Sequence, residues 1–297
     1  MLKTTKGAFM RYYSCVVTDK DLILSCDMIR LSFELNEYQT KQFNNYVNNL
    51  AIENSDYGFT MFESRSLFNY RYMLNFKKGE SSFVVGLGFN AISKLDFNKC
   101  FIEFNPNKCL SNGYICPILN YLKSFTKYLE LVRFDFAIDI PVVRSLVSLS
   151  KDKRDYNKIY RLEKTSINIE NITEYLGKRN NNGFVKLYNK TIESNLDYAL
   201  TRLEITLDSL DYKNFLSQFP LVYYNTNYNL MNYANLSATD KVLFSLLSEN
   251  ENKNLYLKML GRDKQEKFKN MLFNTEKVTI TENDFYSLIY KVREIYL

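Results

Sequence analysis

The sequence predicts an α+β fold built on a mainly antiparallel sheet. In several short segments apolar and polar residues alternate, which is the period of a half-buried strand, and other segments repeat at the period of a helix. Two pairs of neighbouring strand-like segments are joined by short turns that contain glycine, which favours antiparallel pairing. With 297 residues, 46% of them hydrophobic, the chain can bury a sizeable core.

The first half of the chain predicts the order β-α-β-β-β-α-β. Lys77-Lys78-Gly79-Glu80 is typical of a hairpin turn, and Pro117 suits the first turn of a helix. In chain order we expect a strand at 28–35, a helix at 36–52, hairpin strands at 70–76 and 82–89, a strand at 100–104, a helix at 116–129 and a strand at 132–140.

The second half begins with a charged segment and ends in helices. Charge dominates residues 145–165, which indicates a solvated loop or a short helix. Asn180-Asn-Asn-Gly183 is a strong hairpin signal between strands at 174–179 and 184–190. After a further strand at 201–207 the alternation fades, and helices are predicted at 211–219, 239–247, 254–260 and 284–296.

Composition excludes several classes of site. The chain contains no histidine, which removes histidine zinc sites, Ser-His-Asp triads and nucleases that hold their metal with a histidine pair. Any metal must therefore be held mostly by oxygen. Five cysteines without a C-x-x-C pair indicate reduced thiols, and the net charge of +6 suits a polyanionic partner without identifying one.

The hydropathy pattern predicts a protein without a membrane segment. No apolar run approaches the length of a membrane span, and the polar start at Met1–Tyr13 lacks the apolar stretch of a signal peptide. We therefore expect a soluble cytoplasmic protein.

Two strands place charged side chains on one face of an otherwise hydrophobic sheet. One strand carries Arg133, Asp135 and Asp139, and the other carries Arg202 and Glu204. Because side chains alternate across a strand, one face is predicted to be core and the other to be a site. The apolar residues of the opposite face are Phe134, Phe136, Ile138, Ile140, Leu203, Ile205 and Leu207.

The acidic residues of this face allow two interpretations. Asp135 and Asp139 lie four residues apart, about 13 Å along a strand, so they cannot bind one ion together. Asp135 and Glu204 would come within about 5 Å if they were directly opposed, and they would then suit Mg²⁺ or Mn²⁺. Alternatively, Arg133 and Arg202 simply form ion pairs with these acids on a solvated face.

The predicted hairpin brings a tyrosine next to cationic side chains. Cations lower the pKa of a tyrosine and also bind phosphate, so Tyr188, facing a gap at Gly177, has the features of a nucleophile. The alternative is an ordinary amphipathic surface strand. With a two-residue turn at Asn182-Gly183, the cross-strand pairs are Asn181 with Phe184, Arg179 with Lys186, Gly177 with Tyr188 and Tyr175 with Lys190.

Three motifs, in this order, resemble the rolling-circle replication initiators of small staphylococcal-type plasmids, a family that includes phage initiators and conjugative-transposon relaxases. The resemblance covers about residues 27–210, and its specificity lies in the order and spacing of short motifs. Lys178 stands where the family usually has serine. The motifs are Arg133-Phe-Asp135-Phe-Ala-Ile-Asp139, then Tyr175-Leu-Gly-Lys-Arg179 with Lys186-Leu-Tyr188-Asn-Lys190, and finally Thr201-Arg202-Leu-Glu204.

The resemblance implies a curved, mainly antiparallel sheet with helices on one face and a mostly helical C-terminal region. It also implies a metal-dependent, site-specific DNA endonuclease and strand transferase. Tyr188 would attack single-stranded origin DNA and leave a 5′-phosphotyrosine bond and a free 3′-hydroxyl. A host helicase and polymerase would act with it, and a homodimer is plausible for such a family.

The same resemblance implies roles for individual residues. Mg²⁺ or Mn²⁺ would be held by Asp135 and Glu204, with Asp139 in a supporting position. Tyr175 is the second candidate for the nucleophile. The residues that would supply positive charge are Lys190, Lys186 and Arg179.

We expect three regions: an N-terminal extension at 1–26, a nicking and joining domain at 27–210 and a helical region at 211–297 suited to origin recognition. In the last region, lysines at 253–269 would contact phosphates. Two alternatives stay open, namely a relaxase of a mobile element with the same chemistry and a non-catalytic DNA-binding protein. The tyrosines that would stack on bases are Tyr223, Tyr224, Tyr228 and Tyr233.

Overall fold

The computed structural model has a large antiparallel sheet at its centre, which confirms the predicted α+β class. Among the described residues, twelve strands belong to this sheet and every strand pair in it is antiparallel. The structure describes residues 15–53, 60–63, 70–78, 81–91, 94–96, 98–109, 115–126, 129–160, 169–225, 236–249, 252–273 and 275–296.

The strands are numbered in chain order. The large sheet contains β1 (Cys15–Val17), β2 (Ile23–Glu34), β3 (Thr60–Glu63), β4 (Tyr70–Lys78), β5 (Ser81–Ala91), β6 (Lys94–Asp96), β7 (Lys99–Phe104), β8 (Glu130–Ile140), β10 (Tyr156–Tyr160), β11 (Ile172–Leu176), β12 (Val185–Asn189) and β13 (Thr201–Leu207). Its main path is β10-β11-β12-β13-β8-β2-β7-β5-β4-β3, with β1 paired to β2 and β6 paired to β5. A second sheet has the order β15-β14-β9, formed by Thr275–Lys277, Val222–Asn225 and Val147–Leu149.

Side-chain caps define where several helices begin. The side chains of Asn36 and Gln39 each accept a hydrogen bond of 2.9 Å from the other residue's backbone N–H before α1. The side chains of Thr281 and Asp284 accept from each other's backbone N–H groups before the last helix. Both pairs form capping boxes. The helices are α1 (Glu37–Glu53), α2 (Pro106–Cys109), α3 (Ile115–Phe125), α4 (Lys190–Ser194), α5 (Tyr212–Gln218), α6 (Ala238–Glu249), α7 (Lys253–Lys258), α8 (Arg262–Phe273) and α9 (Glu282–Tyr296), with 3-10 turns at Arg144–Leu146 and Ile169–Asn171.

The helices pack on the predicted apolar face of the sheet. The ring of Phe136 in β8 lies 4.9 Å from that of Phe215 in α5 and 5.7 Å from that of Phe285 in α9. On β2, Phe33 contacts Phe43 of α1 at 6.2 Å. Residues on both sides of position 210 therefore share one core. The opposite face of β12, β13 and β8 carries the polar side chains.

Several elements differ from the sequence prediction. The charged segment expected to be a loop or short helix contains two strands, β9 and β10. β10 pairs with β11 at the edge of the sheet, and this pairing, rather than a hydrophobic pattern of its own, makes it a strand. Strand β2 begins at Ile23, inside the predicted N-terminal extension, and α3 ends at Phe125 rather than at 129. The strands β14 and β15 were not predicted.

Three further predictions concern the turn at Gly79, the tyrosines expected to stack on bases, and membrane spans. The hairpin turn at Gly79 and Glu80 lies outside the described residues, as do Tyr228 and Tyr233. Tyr224 is buried and packs in the core, so it is not accessible for stacking on a base. Among the described helices, none combines the length and the apolar character that a bilayer span requires.

Candidate active site

The register of three adjacent strands assembles the polar side chains in rows. Tyr188 of β12 pairs with Arg202 of β13, which pairs with Asp139 of β8. One step along the strands, Lys186 pairs with Glu204. Since paired residues of an antiparallel sheet share a face, these side chains all lie on the polar face, opposite the one that carries the apolar core residues.

The predicted hairpin register is wrong by four residues. Tyr175 pairs with Lys186, and Gly177 is not opposite Tyr188. A turn does close over Asn182-Gly183, because the Phe184 N–H donates to the Asn181 carbonyl at 3.1 Å, but the backbone of Gly183 and Phe184 also bonds to Thr206 of β13, at 2.8 and 2.9 Å, and pairing with β11 begins only at Val185. The connection between β11 and β12 is therefore longer, and it contains three residues with positive φ, Gly177, Asn180 and Gly183.

Tyr188 is hydrogen-bonded to Glu204 and surrounded by lysines. Its hydroxyl donates to Glu204 Oε1 at 2.5 Å, and only 5% of the residue is exposed. Lys186 Nζ lies 3.9 Å from the centre of the Tyr188 ring and 3.5 Å from Glu204 Oε2. Lys190 Nζ lies 5.8 Å from the same ring and is paired with Glu193. The structure thus brings Tyr188, Glu204, Lys186 and Lys190 together.

The electrostatics of Tyr188 differ from the prediction. Burial and the neighbouring Glu204 carboxylate raise the pKa of Tyr188 well above its usual value, although Arg202 acts in the opposite direction. Burial and the charge of Asp27 raise the pKa of Glu204 to about 7. In this arrangement the tyrosine is neutral, and its proton is held in a short bond to a carboxylate of raised basicity.

Asp139 forms a buried ion pair with Arg202, as in the ion-pair interpretation of the sequence. Arg202 donates from Nε and Nη2 to the two oxygens of Asp139, at 2.6 and 2.7 Å, and from Nη1 to Asp27 at 2.9 Å. Asp139 is fully buried and Arg202 is 1% exposed. Because both oxygens of Asp139 are bonded to Arg202, we assign Asp139 a structural role rather than that of a direct metal ligand.

Asp135 does not lie opposite Glu204. Its cross-strand partner on β13 is Thr206, and Glu204 is paired with Ala137. Arg133 donates to both oxygens of Asp135 at 3.3 Å. Burial raises the pKa of Asp135, while Arg133 partly lowers it. Asp135 and Glu204 are therefore diagonal neighbours, offset by two residues. Their carboxylates lie farther apart than those of directly opposed residues, which was the predicted arrangement.

The three predicted carboxylates therefore do not converge as one metal site. Among the residues that the structure describes, no three acidic or cysteine side chains form a group suited to a metal ion. Asp27 acts on Glu204 more directly than Asp135 does, since burial and then the charge of Asp27 raise the pKa of Glu204, and Asp27 also accepts hydrogen bonds from Arg202 and Asn105. Two carboxylates suit Mg²⁺, which is often bound by one or two of them together with substrate phosphates.

Asp27 is a site residue that the sequence pattern did not predict. It lies within the apolar run at the start of β2, the same signal that singled out Asp135. The register between β2 and β8 shifts between Cys26 and Met28, so Asp27 occupies a bulge. A bulge re-aims a side chain, and simple alternation cannot predict the face on which that side chain lies. Asn105 also donates to Asp27, at 3.2 Å.

Tyr175 and Arg179 do not have the cross-strand partners that were predicted, namely Lys190 and Lys186. Tyr175 is one strand away, opposite Lys186, and its ring stacks on that of Phe184 at 5.8 Å. Arg179 is exposed in the connection between β11 and β12, next to Asn180, which accepts a hydrogen bond from Arg133 at 3.3 Å. Arg179 is thus placed near Arg133 rather than at Tyr188.

A second group missed in the sequence holds the chain that follows Tyr188. The Asn189 side chain caps α4 by accepting from the N–H of Ile192, and it donates to Glu170 at 2.8 Å. Glu170 also accepts from the backbone N–H groups of Arg144 and Ser145, each at 3.0 Å. These bonds anchor the start of α4 and hence position Lys190.

Comparisons with known proteins add one structural likeness. No protein-family model matches the chain, and no match is found among curated proteins. One solved structure that it resembles is that of a rolling circle replication initiator protein from Geobacillus stearothermophilus, with 14% sequence identity, a TM-score of 0.40, and coverage of 84% of this chain and 97% of that chain. A likeness at this level leaves the chemistry to be argued from the site itself.

Proposed function

We propose that this protein is a rolling-circle DNA replication initiator that nicks and rejoins single-stranded origin DNA through a covalent 5′-phosphotyrosine intermediate. The observation that carries the proposal is the hydroxyl of Tyr188, bonded to a carboxylate at 2.5 Å and flanked by two lysines on the polar face of the sheet. A nucleophile with an adjacent proton acceptor is the arrangement that covalent catalysis requires. The order of the three sequence motifs supports the same conclusion.

In the proposed step Tyr188 attacks a backbone phosphorus atom. Glu204 Oε1 accepts the hydroxyl proton as the bond from Tyr188 Oη to phosphorus forms. The bond from phosphorus to the 3′ oxygen breaks, and that oxygen leaves as a 3′-hydroxyl after taking up a proton. The phosphotyrosine bond is a phosphodiester like the one it replaces, so a later 3′-hydroxyl reverses the step and rejoins the strand.

The lysines supply positive charge where the phosphate would lie. Lys186 is only 3.5 Å from Glu204 and lies over the Tyr188 ring, so it can move between the carboxylate and a phosphate oxygen. Lys190 is buried beside the ring. Fixed cations at this point stabilise the additional negative charge of the transition state.

A divalent cation is part of the proposal. Glu204 and Asp27 are the residues that would hold it, and Asp27 takes the place predicted for Asp135, which lies opposite Thr206 and is bonded to Arg133. Bound Mg²⁺ or Mn²⁺ would polarise the scissile phosphate and offset its charge.

The direct test is covalent labelling. We expect the protein to form an adduct with a labelled single-stranded oligonucleotide that carries the nick site. The adduct should form in Mn²⁺, should not form in EDTA, and should survive denaturation. Digestion with trypsin should leave the label on the peptide Leu187–Lys190, which contains Tyr188. A label on the peptide that contains Tyr175 would transfer the role to that residue, and binding without any adduct would favour the non-catalytic alternative.

Glu204→Gln should slow adduct formation by about 10² to 10⁴-fold. The amide keeps the shape of the side chain and can still accept the Tyr188 hydrogen bond, but it cannot take the proton. Single-turnover rates of adduct formation measure the effect. Glu130→Gln, at an exposed position of β8, is the matched control. A Glu204→Gln rate within threefold of the wild type would exclude Glu204 from the proton transfer.

Origin recognition by the C-terminal region stays a prediction. α7 and α8 are joined by the three-residue turn Met259–Gly261, which is typical of a helix-turn-helix. Arg262, Lys264 and Lys267 are exposed on α8, where they suit phosphate contacts with duplex DNA. The host helicase, the polymerase and the homodimer also stay predictions.

A further inference from the structure

Two arginines lie directly opposite each other on the polar face of the sheet, away from Tyr188. Arg30 of β2 and Arg133 of β8 are cross-strand partners, and their Cβ atoms are therefore about 5 Å apart. Like charges in this position repel each other and destabilise the strand pair. Glu103 and Asp135 each pair with one of the arginines and offset part of this repulsion, and a bound anion between or above the arginines would offset the remainder.

Arg30 is held in place by groups that leave part of its guanidinium open. Nε donates to Glu103 at 2.7 Å, and the guanidinium lies 4.5 Å from the centre of the Phe101 ring. On the next strand Gly86 is opposite Phe101, where a Cβ atom would lie 2.2 Å from the ring, so the glycine makes room for it. Among the described residues, no partner bonds to the terminal nitrogens of Arg30, whose side chain is 36% exposed. Those nitrogens form a ready fork for a phosphate.

Arg133 is held more weakly and is covered by a basic loop. Its hydrogen bonds to Asp135 and to Asn180 are all 3.3 Å long. Such long bonds can be exchanged for shorter bonds to a phosphate oxygen. The contact with Asn180 also brings the exposed side chains of Lys178 and Arg179 to the same end of the sheet.

The arginine pair lies on the same face as the candidate active site, at a distance that one DNA strand can span. Along β8, Arg133 is six residues from Asp139, a separation of about 20 Å. Asp139 lies in the same cross-strand row as Tyr188. We propose that Arg30 and Arg133 bind a backbone phosphate of single-stranded DNA several nucleotides from the phosphate that Tyr188 attacks, with Arg179 assisting from the loop. The substrate class in this proposal rests on the proposed function.

Binding measurements test the phosphate site without any cleavage. Fluorescence anisotropy with labelled single-stranded oligonucleotides compares the wild type with Arg30→Gln and Arg133→Gln. We expect each substitution to weaken binding about tenfold. The slope of log affinity against log salt should fall by about 0.7 for each phosphate contact that is lost. Arg293→Gln is the matched control, because Arg293 is exposed on α9, which packs on the other face.

Oligonucleotide length locates the contact. The effect of Arg30→Gln should appear only when the DNA is extended on one side of the nick site far enough to reach about 20 Å. Arg30→Lys keeps the charge but not the fork and should fall between wild type and Arg30→Gln.

The outcomes separate this proposal from the proposed function. If both glutamine variants bind as the wild type does with an unchanged salt slope, or if the wild type itself shows no salt-dependent binding of single strands, the phosphate site is wrong. An equal loss in Arg293→Gln would also overturn it, since the effect would then be one of net charge. A protein that binds in this way but forms no Tyr188 adduct would retain the phosphate site and lose the nicking function.

Discussion

Tyr188→Phe is expected to abolish the covalent DNA adduct while leaving DNA binding within about twofold of the wild type. Phenylalanine keeps the ring that packs against Lys186 and removes only the hydroxyl that donates to Glu204. The loss of one hydrogen bond to a charged group costs about 1.5–3 kcal/mol of folding stability, so the variant should remain folded. The measurement is adduct formation on a denaturing gel, with anisotropy for binding.

Tyr175→Phe is the matched control for this variant. Tyr175 is a tyrosine on the same face of the sheet as Tyr188, one strand away. Its ring stacks on Phe184, and its cross-strand partner is Lys186 rather than Arg202. We expect it to form the adduct at close to the wild-type rate. An adduct that persists in Tyr188→Phe and disappears in Tyr175→Phe would reverse the assignment of the nucleophile.

Asp139→Ala should lower the free energy of unfolding by about 3–5 kcal/mol. The substitution removes the bidentate partner of Arg202, a guanidinium that is 1% exposed, and leaves the single hydrogen bond to Asp27 to offset its charge in part. Urea denaturation gives the change in stability. We also expect activity to fall, because Arg202 pairs directly with Tyr188 across the strands.

Asp135→Ala separates the structural from the chemical role of these aspartates. Asp135 lies on the same strand and face, but its bonds to Arg133 are 3.3 Å long and burial raises its pKa, so its removal should cost about 1 kcal/mol or less. If Asp139→Ala unfolds at the wild-type urea concentration yet forms no adduct, Asp139 takes part in the chemistry and not in holding Arg202.

Several elements of the site were predictable because their signal is local. β13 spans Thr201–Leu207 as predicted, and β8 includes the whole predicted segment 132–140. The alternation of charge and apolar residues in these strands is enough to assign each side chain to a face. Lys186 and Tyr188 were expected on one face for the same reason, and they lie on it.

Other features depended on contacts that local pattern does not encode. The turn predicted at Asn182-Gly183 forms, yet Gly183 and Phe184 also bond to Thr206 of β13, and the register of the strands on either side moves by four residues. The diagonal offset between Asp135 and Glu204 follows from the pairing of β8 with β13, which no segment determines alone. Asp27 was missed because its direction depends on a bulge in β2.

By itself the sequence determined which side chains of β8, β12 and β13 share the polar face, since the period of a strand is set by local sterics and by the need to bury the apolar face. Only the tertiary structure decided which of those side chains touch. Strand register and bulges arise from hydrogen bonds between segments far apart in the chain, and a shift of one or two residues changes every cross-strand partner. That is why Glu204 is bonded to Tyr188, while Asp139 is committed to Arg202 and Asp135 to Arg133.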